Sequence, residues 1–440
     1  MLSVHQTWDP LKVCCVGKCF PPHFFDYIKD GRVRDVFHRI AEETEEDLLK
    51  LCSMLEGFGV KVIRTDVSDN PEDYFAQGVY EGTVSGRMYA PPLTPRDHTA
   101  MIGNKFFMPS KNYGDDIDVE QELKNIFGSS ATQMRNASDL HKELLAYVYD
   151  LTYPGRPVSP ATQHMMMSSI KYIKKGNIKA FLEHIDVADL KELIMQAHTN
   201  TIGSNTKYAN NKNNYAYETL EKFLQDEGTP IVYDEYINSA TTTRVGKDLF
   251  FGYNNIIAKL KEDIYMKKWK RLFPDHRIRP VNLPGHVDGA FTPVKPGLIL
   301  SLRVGETYAE TFPDWEVVYL EGESWGKMES FLKAKKKTKG RYWVPGEEQN
   351  DAFYEYVNTW MNDWVTYVEE TVFDVNMLVI DEHNVICNGY NKTAFDAFER
   401  HGVTPHILNF RHRYFWDGGL HCITSDIARE GEQKDFFGDV

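Results

Sequence analysis

Four segments of this chain repeat one short pattern, and that repetition constrains the fold more than any single helix or strand. They are PRDHTAMIGNKFFMP from Pro95, TTTRVGKDLFFGYN from Thr241, HVDGAFTPVKPGLILS from His286 and FDVNMLVIDEHNVICNGYN from Phe373. Each reads as a strand, a tight polar turn and a second strand, with Gly-Asn, Gly-Lys, Pro-Gly and Glu-His-Asn at the turns. A second recurring piece is an amphipathic helix that stops at Gly or Pro and leads into a short β-branched strand, as in IAEETEEDLLKLCSMLEGFGVKVIRTD and NKTAFDAFERHGVTPHILNF. Alternating helices and mixed strands give an α/β chain, and the repetition implies pseudo-symmetric blades around an axis rather than one open sheet. The blades are unevenly spaced, so residues 110–229 are expected to hold a mainly helical insertion within a single domain spanning 1–440. The run KAKKKTKGR near its C-terminal third reads as a solvated loop.

Charge narrows the partners. A formal net charge of -14 argues against a nucleic-acid or anionic-membrane surface, because phosphates reward clustered Lys and Arg. A small cationic substrate suits it better. No apolar run approaches the roughly 18 residues needed to span a bilayer. The opening MLSVHQTWDPLKVCCVG has no basic leader and apolar core in sequence, so a cytoplasmic location is expected. The six cysteines, Cys14, Cys15, Cys19, Cys52, Cys387 and Cys422, form neither a zinc pattern nor a disulfide framework, which fits a reducing compartment. The sequons at Asn136 and Asn391 are then idle.

The hairpins carry the residues with chemistry. In PGHVDGAF, His286 and Asp288 are two apart, which on an extended strand places both side chains on one face. Asp97 occupies the same place in a sister hairpin. Cys422 lies in FWDGGLHCITSDIARE, in a turn bounded by glycines. A planar guanidinium needs carboxylates on its edges, which Asp97 and Asp288 can supply, and a thiolate below that plane can attack the central carbon. His286 is the available proton carrier. His421, beside the cysteine, is expected to face away and to have no role.

The segments TWDPLKVCCVG, PRDHTAMIGNKFF, HVDGAFTPVKPGLILS and GGLHCITSDIARE resemble the L-arginine:glycine amidinotransferase family of the guanidine-modifying, or pentein, superfamily. The resemblance runs in order from about Thr7 to Arg429 and is weakest between about Ser110 and Thr229. It implies a five-bladed αβ propeller (pentein) with its site on the pseudo-fivefold axis. Carried over, Cys422 matches the nucleophile, His286 the general acid/base, and Asp97 and Asp288 the guanidinium-binding acids. Arg303, offset by two residues, corresponds to the arginine that holds the substrate carboxylate. Thr241 stands where the family has an acid that orients the histidine, with Asp234 or Glu235 as replacements. A substrate-contacting Ser-Ser pair falls on Glu369 and Glu370.

The implied activity is a ping-pong amidinotransferase that needs no metal or organic cofactor. Arginine is the donor and a primary amine the acceptor, glycine by default, with ornithine or another ω-amine left open by Glu369 and Glu370. A hydrolase of the deiminase or dihydrolase type would share the attack of the cysteine on the guanidinium carbon, with ammonia released and water as acceptor. A non-catalytic pentein that only binds partners is the third reading. A homodimer stays open.

Overall fold

The structure is a computed structural model that describes residues 2–74, 90–109, 216–234, 237–253, 269–282, 286–302, 311–320, 329–361, 365 and 375–438. Arg303, Glu235, Glu369, Glu370 and most of the expected insertion lie outside the described residues.

Fifteen described strands form five three-stranded sheets of one design. In each, an antiparallel pair is extended by a third strand that runs parallel to the middle one. The sheets combine β3 (Ala100–Ile102), β4 (Lys105–Met108) and β5 (Ile231–Tyr233); β6 (Thr242–Val245), β7 (Asp248–Tyr253) and β8 (Arg277–Asn282). They continue with β9 (Phe291–Lys295), β10 (Leu298–Ser301) and β11 (Glu316–Tyr319); then β12 (Leu378–Asp381), β13 (Asn384–Cys387) and β14 (Thr404–Ile407). The fifth sheet joins the two ends of the chain, because β15 (Thr424–Arg429) pairs antiparallel with β1 (Leu11–Val16), and β1 runs parallel to β2 (Lys61–Arg64). All four expected hairpins are present at the expected turns. A parallel third strand needs a crossover, which is why a helix or long connection precedes it each time.

Two crossovers show how local sequence builds the unit. Helix α1 (Gly31–Gly57) starts where the Asp30 carboxylate accepts from Arg32 N at 3.0 Å, and it buries Val33, Phe37, Ile40, Leu48, Leu51 and Leu55 along one stripe. Helix α2 (Lys392–His401) is capped by Asn391, whose side chain accepts from Ala394 N at 3.1 Å, and it ends at Gly402 in the left-handed region. Asn391 is fully buried by that cap. The lysine run is not a loop: residues 333–338 belong to a helix, Glu329–Thr338, because Phe331, Ala334 and Thr338 recur at helical spacing and pack inward. Strands β6, β9, β10 and β15 are buried along nearly their whole length, so the core is made by the sheets themselves.

The segment HVDG departs from expectation. His286 has extended backbone, but Val287–Gly289 forms a 3-10 turn, so the side chains of His286 and Asp288 do not share a strand face. Pro95–Asp97 forms the matching 3-10 turn. Both aspartates therefore stand three residues ahead of the first strand of their sheet, β3 or β9. The alternation rule fails here because the strand begins only at Phe291.

Candidate active site

Site residues sit just before the leading strand of each sheet. Asp97 precedes β3, Asn238 precedes β6, Asp288 precedes β9, Asn376 precedes β12 and Cys422 precedes β15. Hydrogen bonds link these five turns in a closed cycle. Ser239 N donates to Arg96 O at 3.1 Å, and Val287 N donates to Ala240 O at 2.8 Å. Thr292 Oγ1 donates to Val375 O at 2.5 Å, Asn376 Nδ2 to Cys422 Sγ at 2.9 Å, and Arg96 Nε to His421 O at 2.8 Å, which returns the cycle to the first turn.

Cys422 and Asp288 meet directly, with Sγ 3.7 Å from Oδ2. His286 and Asp97 form the second pair, with Nδ1 3.7 Å from Oδ1, an electrostatic contact longer than a hydrogen bond. Asp288 lies within electrostatic reach of His286 as well. The structure thus gathers four of the five expected site residues around one ring of turns, while Arg303 lies outside the described residues. Thr241 is held within its own turn. Its N and Oγ1 donate to Asn238 Oδ1 at 2.9 and 3.0 Å and close their own turn, and Asp234 Oδ1 accepts from Ile237 N at 3.1 Å.

His421 does not face away from the site. Its Nδ1 lies 2.9 Å from Asp288 Oδ2, and because that oxygen belongs to a carboxylate, Nδ1 carries the proton. Burial, helped by the nearby Arg96 charge, pushes His421 down to about 4 against the opposing pull of Asp288, so it serves as a neutral donor near neutrality. Burial alone would raise the Asp288 carboxyl, but the hydrogen bond from His421 and the charges of His421, His286 and Arg96 hold it below its ordinary value. Asp288 Oδ1 is buried with no hydrogen-bond partner among the described residues. A buried carboxylate oxygen left unpaired is costly, and a ligand N–H would relieve it.

Sequence reasoning also missed the support beneath the cysteine. Asp426 on β15 is buried among Arg96, Arg244 and Arg429, with Nη2 of Arg96 at 3.0 Å, Nη2 of Arg244 at 2.8 Å and Nε of Arg429 at 2.9 Å. Burial would raise its carboxyl, yet the charges of Arg244, Arg96 and Arg429 hold it well below the usual range. Arg96 also donates to Thr424 O at 2.9 Å, which clamps the end of the cysteine turn. The Pro-Arg-Asp motif therefore places one residue under the site and the next within it. Gly419 is required by close approach, since a Cβ there would lie 2.5 Å from Asn376 Oδ1.

The other thiols differ in setting. Burial and the Asp426 charge push Cys14 up to about 12, and burial likewise raises Cys15, Cys19 and Cys52. Among the described residues, no helix is long and apolar enough to cross a membrane.

No family model matches the chain. Among curated proteins, it is 24% identical over 460 residues to a mitochondrial glycine amidinotransferase of Gallus gallus, covering 98% of this chain and 84% of that protein. The match to the protein of the same name from Xenopus laevis is 24% over 225 residues, 50% of this chain and 43% of that one, so there the chain accounts for less than half of its relative's length. A putative inosamine-phosphate amidinotransferase of Streptomyces griseus is 20% identical across 98% of this chain and 97% of its own. The chain is thus similar in sequence to proteins named as amidinotransferases, which are transferases. Among solved structures, an amidinotransferase of the saxitoxin pathway of Microseira wollei superposes over 99% of both chains at 15% identity and a TM-score of 0.49.

Proposed function

We propose that this amidinotransferase relative moves the amidino group of L-arginine to a primary amine through a covalent intermediate on Cys422, on a five-bladed propeller whose leading turns line the site. The observation that carries the reading is the division of labour at Asp288. One oxygen is taken by His421 and lies 3.7 Å from Cys422 Sγ, while the other is buried with no hydrogen-bond partner among the described residues and is suited to accept from a guanidinium N–H beside the nucleophile.

In the first half-reaction the Cys422 thiolate attacks the guanidinium carbon. The bond from that carbon to the departing nitrogen breaks, and protonated His286 supplies the proton that lets ornithine leave. An amidino-cysteine remains. His286, now neutral, takes a proton from the incoming amine, whose nitrogen attacks the amidino carbon and expels the thiolate. Asp97 orients His286 and faces the guanidinium, a double duty supported by their 3.7 Å separation. Arg303 holds the substrate carboxylate in this reading. The cytoplasm is the proposed location, supported by cysteines without a disulfide framework.

Glycine is the default acceptor, as the names of two relatives suggest, but a third relative is named for a different acceptor. Glu369 and Glu370 add negative charge where the family places hydroxyls, which would repel the glycine carboxylate and favour ornithine or another ω-amine. The test is a panel of amines with arginine as donor, read as guanidino products by mass. Ornithine used at least as well as glycine is expected. A glycine preference unchanged in the Glu369→Ser, Glu370→Ser double variant would remove the two glutamates from the acceptor site.

A further inference from the structure

We propose that Asn376 is a catalytic residue that donates a hydrogen bond to Cys422 Sγ and stabilises its thiolate; this rests on reading Cys422 as the nucleophile. Asn376 is 1% exposed, and its Nδ2 lies 2.9 Å from Sγ. The orientation of the amide is set by its other end. Oδ1 accepts from His421 N at 2.9 Å and from Cys422 N at 3.1 Å, and two backbone N–H groups aimed at one atom require it to be the oxygen. The amino group must then face the sulfur.

The residue is itself held on every side. Asn388 Nδ2 donates to Asn376 O at 2.9 Å, and the carbonyl of Val375 is bound by Thr292. Gly419 gives the side chain room that any Cβ would occupy. A rigid donor of this kind costs no reorganisation when charge appears on sulfur.

The need for such a donor follows from Asp288. Its carboxylate, 3.7 Å from Sγ, opposes a second negative charge nearby. That acid is valuable to a cationic substrate but disfavours the thiolate in the empty site. Asn376 approaches the sulfur with the opposite polarity and offsets it.

Asn376→Asp keeps the acceptor but replaces the donor with a carboxylate charge beside the sulfur, so Asn376→Ser is measured with it to show the loss of the donor alone. The measurement is the pH dependence of alkylation by iodoacetamide, mapped to Cys422 by peptide mass so that the other cysteines do not count, with Tm recorded alongside. An upward shift of about one pH unit in the Cys422 midpoint, or about tenfold slower alkylation at neutral pH, is expected at near-native Tm. An unchanged midpoint at native Tm would make Asn376 a brace for the turn only and overturn the proposal. Asn376→Ser, too short to reach the sulfur, is read by the same criterion, and should Asn376→Asp unfold it decides alone. Alkylation does not depend on turnover. A shifted midpoint in a protein that never consumes arginine would therefore leave this inference standing while the amidinotransferase reading fell.

Discussion

Replacing Asp288 with Asn tests the guanidinium contact without disturbing the turn that carries it. Asp288 is 2% exposed, and its two oxygens have different tasks. An asparagine oxygen can still accept from His421 Nδ1, the 2.9 Å contact seen here, so His421 stays neutral and in place. The other position becomes an NH2 group, which cannot accept from a guanidinium and carries no charge. One charge-assisted hydrogen bond is lost, about 1.5–3 kcal/mol, which converts to roughly ten- to hundredfold in kcat/KM for arginine. The backbone bond from Val287 to Ala240 that holds the turn is untouched, so Tm should remain close to that of the parent. The assay is initial-rate kinetics with arginine varied at saturating amine, beside a thermal melt. Parent kcat/KM in a folded Asp288→Asn protein would refute the assignment and leave Asp288 as a partner for His421 alone.

Three further outcomes are expected. Asp426→Asn strips the charge from the centre of three buried arginines, and breaking such a pairing costs about 3–5 kcal/mol, so Tm should fall by several degrees; a melt indistinguishable from the parent would show that the arginines find other partners. Gly419→Ala forces a Cβ into Asn376 Oδ1 and should slow alkylation of Cys422 at neutral pH while the other thiols are unaffected; an unchanged rate would show that the turn has room to yield. His98, His276 and His421 are held below 6.5 by burial, at about 3, 4 and 4, so the unfolded chain takes up their protons first as pH falls. Their contribution is complete above 6.5 and is lost on the way down toward 4, so Tm should decline over that window, and a Tm flat from 6.5 to 4 would contradict the burial of these rings.

The repeating hairpins were legible because each is local: glycine, asparagine or proline marks a turn, and the flanking strands lie within a few residues. The residue types of the site were legible for the same reason. What lay beyond reading is non-local. Asp426 finds Arg96 and Arg244 across 330 and 182 residues of chain, and no periodicity links them. His421 was misread because its partner Asp288 lies 133 residues away in the chain, and strand alternation put His286 and Asp288 on one face when a 3-10 turn lies between His286 and β9. Asn376 carried a signal that could have been used, since it stands ahead of β12 as Asp97, Asp288 and Cys422 stand ahead of their own strands. The lysine run looked like a loop because its charges mask Phe331 and Ala334 at helical spacing.

The covalent intermediate is the most direct test. The protein is incubated with arginine and no amine, quenched in acid and mapped by peptide mass, with ornithine, citrulline and ammonia measured in the same sample. One amidino group on the Cys422 peptide, ornithine released once per site, and no sustained ammonia are expected. Steady citrulline and ammonia would make water the acceptor and the protein a hydrolase, and neither adduct nor ornithine would contradict catalysis at Cys422 altogether.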